Sequence, residues 1–269
     1  MLSLVRGLDH KPLGFSALNT ARSAVSSVAI IQGQPAGQHP LTNRFMRAAF
    51  NQNPTFPKTG VTWDVNIVLQ YLKSLSPGHS IPLPDLTKKL VVLCLLLSGQ
   101  RGQTLMFLDI RNMTLTSSSA TFRIGDLIKT TRPNRHLNEV RFRAYAPDRR
   151  LCIVTALSHY IRRTAPHRKD TNQLFLTTRH PFGPASRDSI RRWTKDILSA
   201  AGVDMSIFTP HSTRAASTSK AATRIPIQTI LQTAGWASVS TFQNYYQKDI
   251  ALKAPPRFDS AVLDGIDSD

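Results

Sequence analysis

Acidic residues are scarce in this sequence: 16 Asp and Glu stand against 34 Lys and Arg in 269 residues, a formal net charge of +18, with a pI near 10.8. Such a chain cannot present an acidic face to a cationic partner; it is suited to a polyanion, and nucleic acid is the first candidate. Cysteine is limited to Cys94 and Cys152, each in an apolar run (LVVLCLLL and RRLCIVTAL). That excludes a disulfide framework and reads as buried, reduced thiols in an intracellular protein. The eight His are scattered, without the Cys/His/carboxylate spacing of a zinc site, so neither a metal nor a cofactor is expected. No apolar run approaches a membrane span, which leaves no membrane role to expect. Internal repeats and a basic low-complexity tail are also lacking.

What is present is enough for a core and an uneven charge distribution. Hydrophobic residues make up 41% of the chain. Eighteen Lys and Arg fall between Arg111 and Lys195, whereas the last thirteen residues hold four Asp and one Arg. The basic centre is the part that faces the polyanion.

Residues 14–31 place Leu18, Ala21, Val25, Val28 and Ala29 at helical spacing, and Leu41 to Phe50 predicts a second short helix. Two helices are a thin core. They read as the tail end of a helical domain that begins before Met1, and the polar, Pro-bearing NQNPTFPKTG reads as a linker. A helix is expected to begin near Trp63 with Val65, Val68, Leu69 and Leu72 on one side. A buried central helix is expected over Asp85 to Ser98, broken at Ser98-Gly99 so that Arg101 sits at the next helix start. Residues 112–145 alternate apolar and polar residues, predicting three strands of a small antiparallel sheet. The long turn LIKTTRPNRH between the second and third strands carries Lys129, Arg132 and Arg135, a basic tip able to reach DNA. Helices are expected over Leu151 to Arg163 and Ser186 to Ala201, with a strand-like QLFLTT between them. The second helix presents Arg187, Arg191, Arg192 and Lys195 on overlapping faces, suited to phosphate contacts that fix register without reading sequence. The fold class is therefore mainly α with a small antiparallel sheet (α+β).

The stretch from Thr209 to Lys248 concentrates the chemistry. His211 and Arg214 are three residues apart and converge on one helix face, with Thr209 as the expected cap and Pro210 in the first turn. Arg offers a permanently charged planar fork for phosphate oxygens, and His can move a proton near neutral pH. A tyrosine downstream can act as a nucleophile, splitting one hard step into two easier ones. Taken singly, an HxxR pair is most often a solvated helix face and a helical Tyr most often core.

The ordered set Arg101, Lys129, His211-Ser-Thr-Arg214, Gly235-Trp236 and Tyr245 closely resembles the tyrosine recombinase, or phage integrase, family. The resemblance covers a catalytic domain over residues 61–250, preceded by a partial helical, SAM-like core-binding domain and linker over 1–58, with 251–269 as a tail. In that family a complete N-terminal domain closes a clamp around DNA. The resemblance implies that Arg101 and Arg214 clamp the scissile phosphate, that Lys129 is the general acid, and that His211 assists proton transfer and phosphate binding. The family position after the glycine is usually His and in some members Trp, as Trp236 is here. Ten residues after Gly235, Tyr245 falls at the nucleophile position, with Tyr246 as the alternative. Thr104 stands where the family usually has an acidic residue. The wording SGQRGQTL, TPHSTRAASTSKA and GWASVSTFQNYY is closest to recombinases of eukaryotic DIRS-like mobile elements, which would place the protein in a nucleus.

The activity so implied is metal-independent, site-specific cleavage and rejoining of double-stranded DNA through a 3′-phosphotyrosyl intermediate. A homo-oligomer, dimer to tetramer, would form on paired sites. The truncated front end and Thr104 also fit a non-catalytic DNA-binding remnant of a mobile element. A type IB topoisomerase-like enzyme shares the chemistry but fits Trp236 and the absence of large extra domains less well.

Overall fold

A computed structural model describes residues 13–54, 60–75, 79–127, 131 and 139–251. The chain divides into two compact units, residues 1–59 and 60–269.

In the first unit, α1 (Phe15–Ser26) leads into a two-stranded hairpin, β1 (Ile30–Ile31) with β2 (Gln34–Pro35). Gln32 and Gly33 turn the hairpin with φ of 49° and 76°, the positive-φ pair that a two-residue loop requires. α2 (Pro40–Gln52) starts where the His39 ring accepts from the Leu41 N–H and Pro40 takes the first helical position. Leu18, Met46 and Ala49 form the buried centre with Leu13, Phe15 and Phe45 against it. The helical series expected over residues 14–31 is corrected here. The helix stops at Ser26, so Val28 and Ala29 fall outside it, and within it Ala21 and Val25 are exposed while Leu18 is its one buried residue.

The second unit opens with β3 (Val61–Trp63). Asp64 then accepts from the Asn66 N–H to cap α3 (Val65–Ser74), the helix expected near Trp63, with Val65, Val68 and Leu72 buried. α4 (Leu83–Ser98) is the centre of the main core and is buried almost all round. It ends on Gly99 in the left-handed region, and the short α5 (Gly102–Met106) follows. β4 (Met113–Leu115), β5 (Ser119–Arg123) and β6 (Glu139–Arg143) form an antiparallel sheet in that order. Ala120 and Phe122 on β5 and Val140 and Phe142 on β6 face the core while their neighbours alternate outward. The connection carrying Lys129, and Arg132 and Arg135 with it, lies outside the described residues.

α6 (Ile153–Thr164) and α7 (Arg187–Ala200) flank α4. Between them QLFLTT is not a strand of a sheet; Gln173 and Leu176 make isolated bridges to Asp109 and Pro184, and Leu174, Phe175 and Leu176 are buried. Burial drives that apolar run, and among the described residues no neighbouring strand pairs with it as a ladder. The chain then forms α8 (Ser212–Ala222), α9 (Ile227–Ala234), α10 (Val239–Tyr245) and β7 (Asp249–Ala251). β7 pairs parallel with β3, Val61 opposite Asp249 and Trp63 opposite Ala251, a closure the sequence pattern did not predict. Ile230, Ala234, Trp236 and Phe242 form a small core of their own, against which Tyr246 packs. Among the described residues no helix is long and apolar enough to cross a membrane. The segment 252–269, nearly all of the expected tail, lies outside them.

Candidate active site

Three breaks between helices converge. The first is the α4–α5 junction. Gly99 has φ of 59°, which a residue without a Cβ adopts at little cost, and its neighbour Gln100 is buried. The Gln100 side-chain amide donates to the Thr233 carbonyl at 2.6 Å, and the Thr104 hydroxyl donates to the Gln100 Oε1 at 3.3 Å. These bonds tie the start of α5 to the end of α9. Arg101 occupies the extended residue at the α5 N-terminus and is half-buried.

The second is the start of α8. The helix begins at Ser212, with His211 as its N-cap in a helical conformation and no side-chain cap bond. Thr209 and Pro210 therefore precede the helix. They form a turn in which the Ser212 N–H and hydroxyl both donate to the Thr209 carbonyl, and Ser212 Oγ accepts from the Trp63 indole. His211 is exposed, whereas Arg214 one turn on is 1% exposed.

Arg214 Nη2 donates to the Ala234 carbonyl at 2.7 Å, and the guanidinium lies 4.3 Å from the Trp236 ring centroid. Its Nε and Nη1, and the Trp236 Nε1, have no hydrogen-bond partner among the described residues. A buried cation with two guanidinium nitrogens left unpartnered by the protein is costly unless an anion arrives. The fork geometry suits two oxygens of a phosphate. Burial, and then the neighbouring Arg101 charge, push the Arg214 guanidinium down to about 9, with Tyr246 opposing. It stays charged at neutral pH.

The third break is the end of α10. Ser238 accepts from the Thr241 N–H to start this helix, and Tyr245 is its last residue. Tyr245 is 65% exposed. Tyr246, in the cap position, turns the other way: its ring centroid is 4.5 Å from that of Trp236 and 6.5 Å from that of His211. Its hydroxyl oxygen accepts from Arg101 Nη2 at 3.3 Å. The placement expected for Tyr245 is thus corrected: the residue brought to the cations is Tyr246. Spacing from Gly235 counts positions along the chain, but successive helical residues point about 100° apart. The frame of α10 on the small core selects which tyrosine faces inward.

Arg101, His211, Arg214 and Trp236 therefore gather around Tyr246. Arg187, Arg191, Arg192 and Lys195 lie on the exposed side of α7, opposite the buried Ile190, Trp193, Ile197 and Leu198. Gln100, bonded to the Thr233 carbonyl, and Ser219, whose hydroxyl donates to the Tyr246 carbonyl and accepts from the Lys248 N–H, carried no signal in the sequence, since a lone Gln or Ser forms no motif. Among the described residues no group of three or more His, Cys, Asp or Glu could hold a metal ion.

The model of the phage integrase family matches residues 79–251. No match was found among curated protein sequences. Of solved structures, XerA recombinase is similar with a TM-score of 0.53 at 20% identity, over 98% of this chain and 85% of that one. The XerH site-specific recombinase bound to palindromic difH substrate, a post-cleavage complex, gives a TM-score of 0.57 at 15% identity, over 86% of this chain and 61% of that one. The Tn1549 transposon integrase in complex with circular intermediate DNA gives 0.52 at 14% identity, over 94% and 79%. At these identities the likeness is one of fold.

Proposed function

The chain belongs to the phage integrase family, the tyrosine recombinases, and on that premise we propose that it cleaves and rejoins double-stranded DNA with Tyr246 as its nucleophile. The observation that carries this reading is the Tyr246 hydroxyl bonded to Arg101, beside the buried and under-satisfied Arg214. In the proposed step the Tyr246 oxygen attacks phosphorus, a tyrosyl O–P bond forms, and the P–O5′ bond breaks. The phenol proton passes toward His211. The departing 5′-oxygen takes its proton from an acid, the role the family resemblance gives to Lys129.

A phenol has an ordinary pKa near 10, so the attack needs positive charge at the forming phenolate and at the crowded phosphorus. Arg101 and Arg214 supply it in a preorganised frame, and a divalent metal is then not required. The 3′-phosphotyrosyl bond conserves the energy of the diester, which lets the strand be resealed without a nucleotide cofactor. Action on paired sites requires at least two copies of the chain on DNA.

The test is a nicked suicide duplex, selected by the wild-type protein from a random-sequence pool and incubated with a chelator. A covalent protein–DNA band is expected from the wild type and from Tyr245→Phe, and none from Tyr246→Phe. An adduct that survives Tyr246→Phe and disappears in Tyr245→Phe reverses the assignment. Tight binding without any adduct from the wild type means a non-catalytic DNA-binding remnant, the reading that Thr104 favours.

A further inference from the structure

We propose that Ser219 is the positioning residue that fixes the reach of Tyr246, by clamping its backbone to the helix that also carries Arg214. The inference rests on Tyr246 being the nucleophile.

Serine and threonine inside helices ordinarily turn their hydroxyl back onto a carbonyl three or four residues earlier. This protein follows that habit at Thr87, Ser98, Thr164, Thr194 and, next door, Thr218, whose hydroxyl donates to the Arg214 carbonyl at 2.6 Å. Ser219 departs from it. Its hydroxyl donates to the Tyr246 carbonyl at 2.9 Å and accepts from the Lys248 N–H at 3.0 Å. Both partners lie far along the chain, and Ser219 itself is 4% exposed.

The backbone between α10 and β7 shows why this matters. The Tyr246 and Gln247 N–H groups both return to the Phe242 carbonyl, closing the helix, and the Asp249 N–H bonds the Gly60 carbonyl as pairing with β3 begins. The intervening polar groups, the Tyr246 carbonyl and the Lys248 N–H, are taken by one hydroxyl. Ser219 thus spans the step where the chain leaves the helix and enters the strand, which is also the residue that presents the phenol. Arg214 sits on the same helix and bonds the Ala234 carbonyl on α9. Clamp and phosphate ligand therefore share one rigid element, so the phenol's distance from the phosphate is set within a single protomer.

If Ser219 only supported the fold, its loss would affect every reaction at the site. If it positions Tyr246, its loss affects attack by that tyrosine alone. In a Tyr246→Phe background a small diffusible nucleophile, hydrogen peroxide, can attack the clamped phosphate using the same arginines and without the tyrosine's backbone. Single-turnover cleavage of the nicked duplex by Ser219→Ala is expected to fall about 10- to 100-fold, the scale of a sub-ångström to ångström misplacement. DNA affinity and peroxide-driven cleavage by the Ser219→Ala/Tyr246→Phe double variant stay at their reference values. Ser219→Thr, which keeps the hydroxyl, recovers most of the rate. Ser219→Cys, closer in volume, gives the same comparison where the alanine variant loses DNA binding. Equal losses in the tyrosine and peroxide reactions, or a wild-type cleavage rate in Ser219→Ala, overturn the proposal. An adduct formed by Tyr246→Phe itself overturns the nucleophile assignment instead, and the two failures are distinct.

Discussion

Arg214 carries two guanidinium nitrogens, Nε and Nη1, into the interior without a protein acceptor among the described residues, a state that costs stability in the free protein and is relieved when a phosphate binds. Arg214→Met keeps most of the volume and removes the charge. Its unfolding free energy in denaturant is expected to be unchanged or about 1 kcal/mol higher, while cleavage falls at least about 10²-fold, as for loss of an oxyanion-stabilising donor. A buried lysine behaves differently. Lys89 is inside the core, its ammonium donating to the Leu75 carbonyl at 2.7 Å. Burial lowers its pKa from 10.5 to about 8, with Asp148 opposing the shift and Arg150 adding to it. The folded state then binds fewer protons than the unfolded chain between those two values, so stability rises with pH across that window and is lower below it. Denaturant midpoints on either side of the window should show the rise in the wild type and its loss in Lys89→Met. The HxxR pair was legible from its spacing. The interior placement of Lys89 was not, because a Lys on an apolar helix reads as a charged stem reaching solvent.

The elements that set the site are helix ends rather than helix bodies. α4 ends at Gly99 with φ of 59°, and a Cβ built there would lie 3.1 Å from the Thr218 side chain. Gly99→Ala is therefore expected to cost about 1 kcal/mol or more in unfolding free energy. It should also slow cleavage, since Arg101 follows two residues later. A lower melting temperature together with unchanged cleavage would show that Arg101 is held independently of the cap. The helices themselves were readable from apolar spacing, and the three-stranded sheet from its alternation. The pairing of β3 with β7 was not, since two three-residue strands distant in sequence carry no periodic signal. Nor was the exposure of Val25 and Val28, since apolar spacing says neither where a helix stops nor which of its faces finds a partner.

At the scale of the whole molecule the net charge of +18 predicts binding that is dominated by counterion release. Affinity for duplex DNA should fall steeply and log-linearly with salt. Replacing Arg187, Arg191, Arg192 and Lys195 by Ala should make that slope shallower by about 0.9 for each side chain that meets a phosphate, read from fluorescence anisotropy over a salt series. An unchanged slope would move the DNA contact away from the solvent side of α7. The sequence by itself determined the helix-rich class and the basic centre, and it singled out Arg101, His211 and Arg214, which the structure brings together, because composition, periodicity and motif spacing are properties of the chain as a string. Only the tertiary structure decided which of two adjacent tyrosines meets those cations. One residue of helical rotation turns a side chain by about 100°, and the direction of Tyr246 is fixed by Trp236, by the end of α10 and by a hydroxyl on α8, contacts that exist only once the chain is folded.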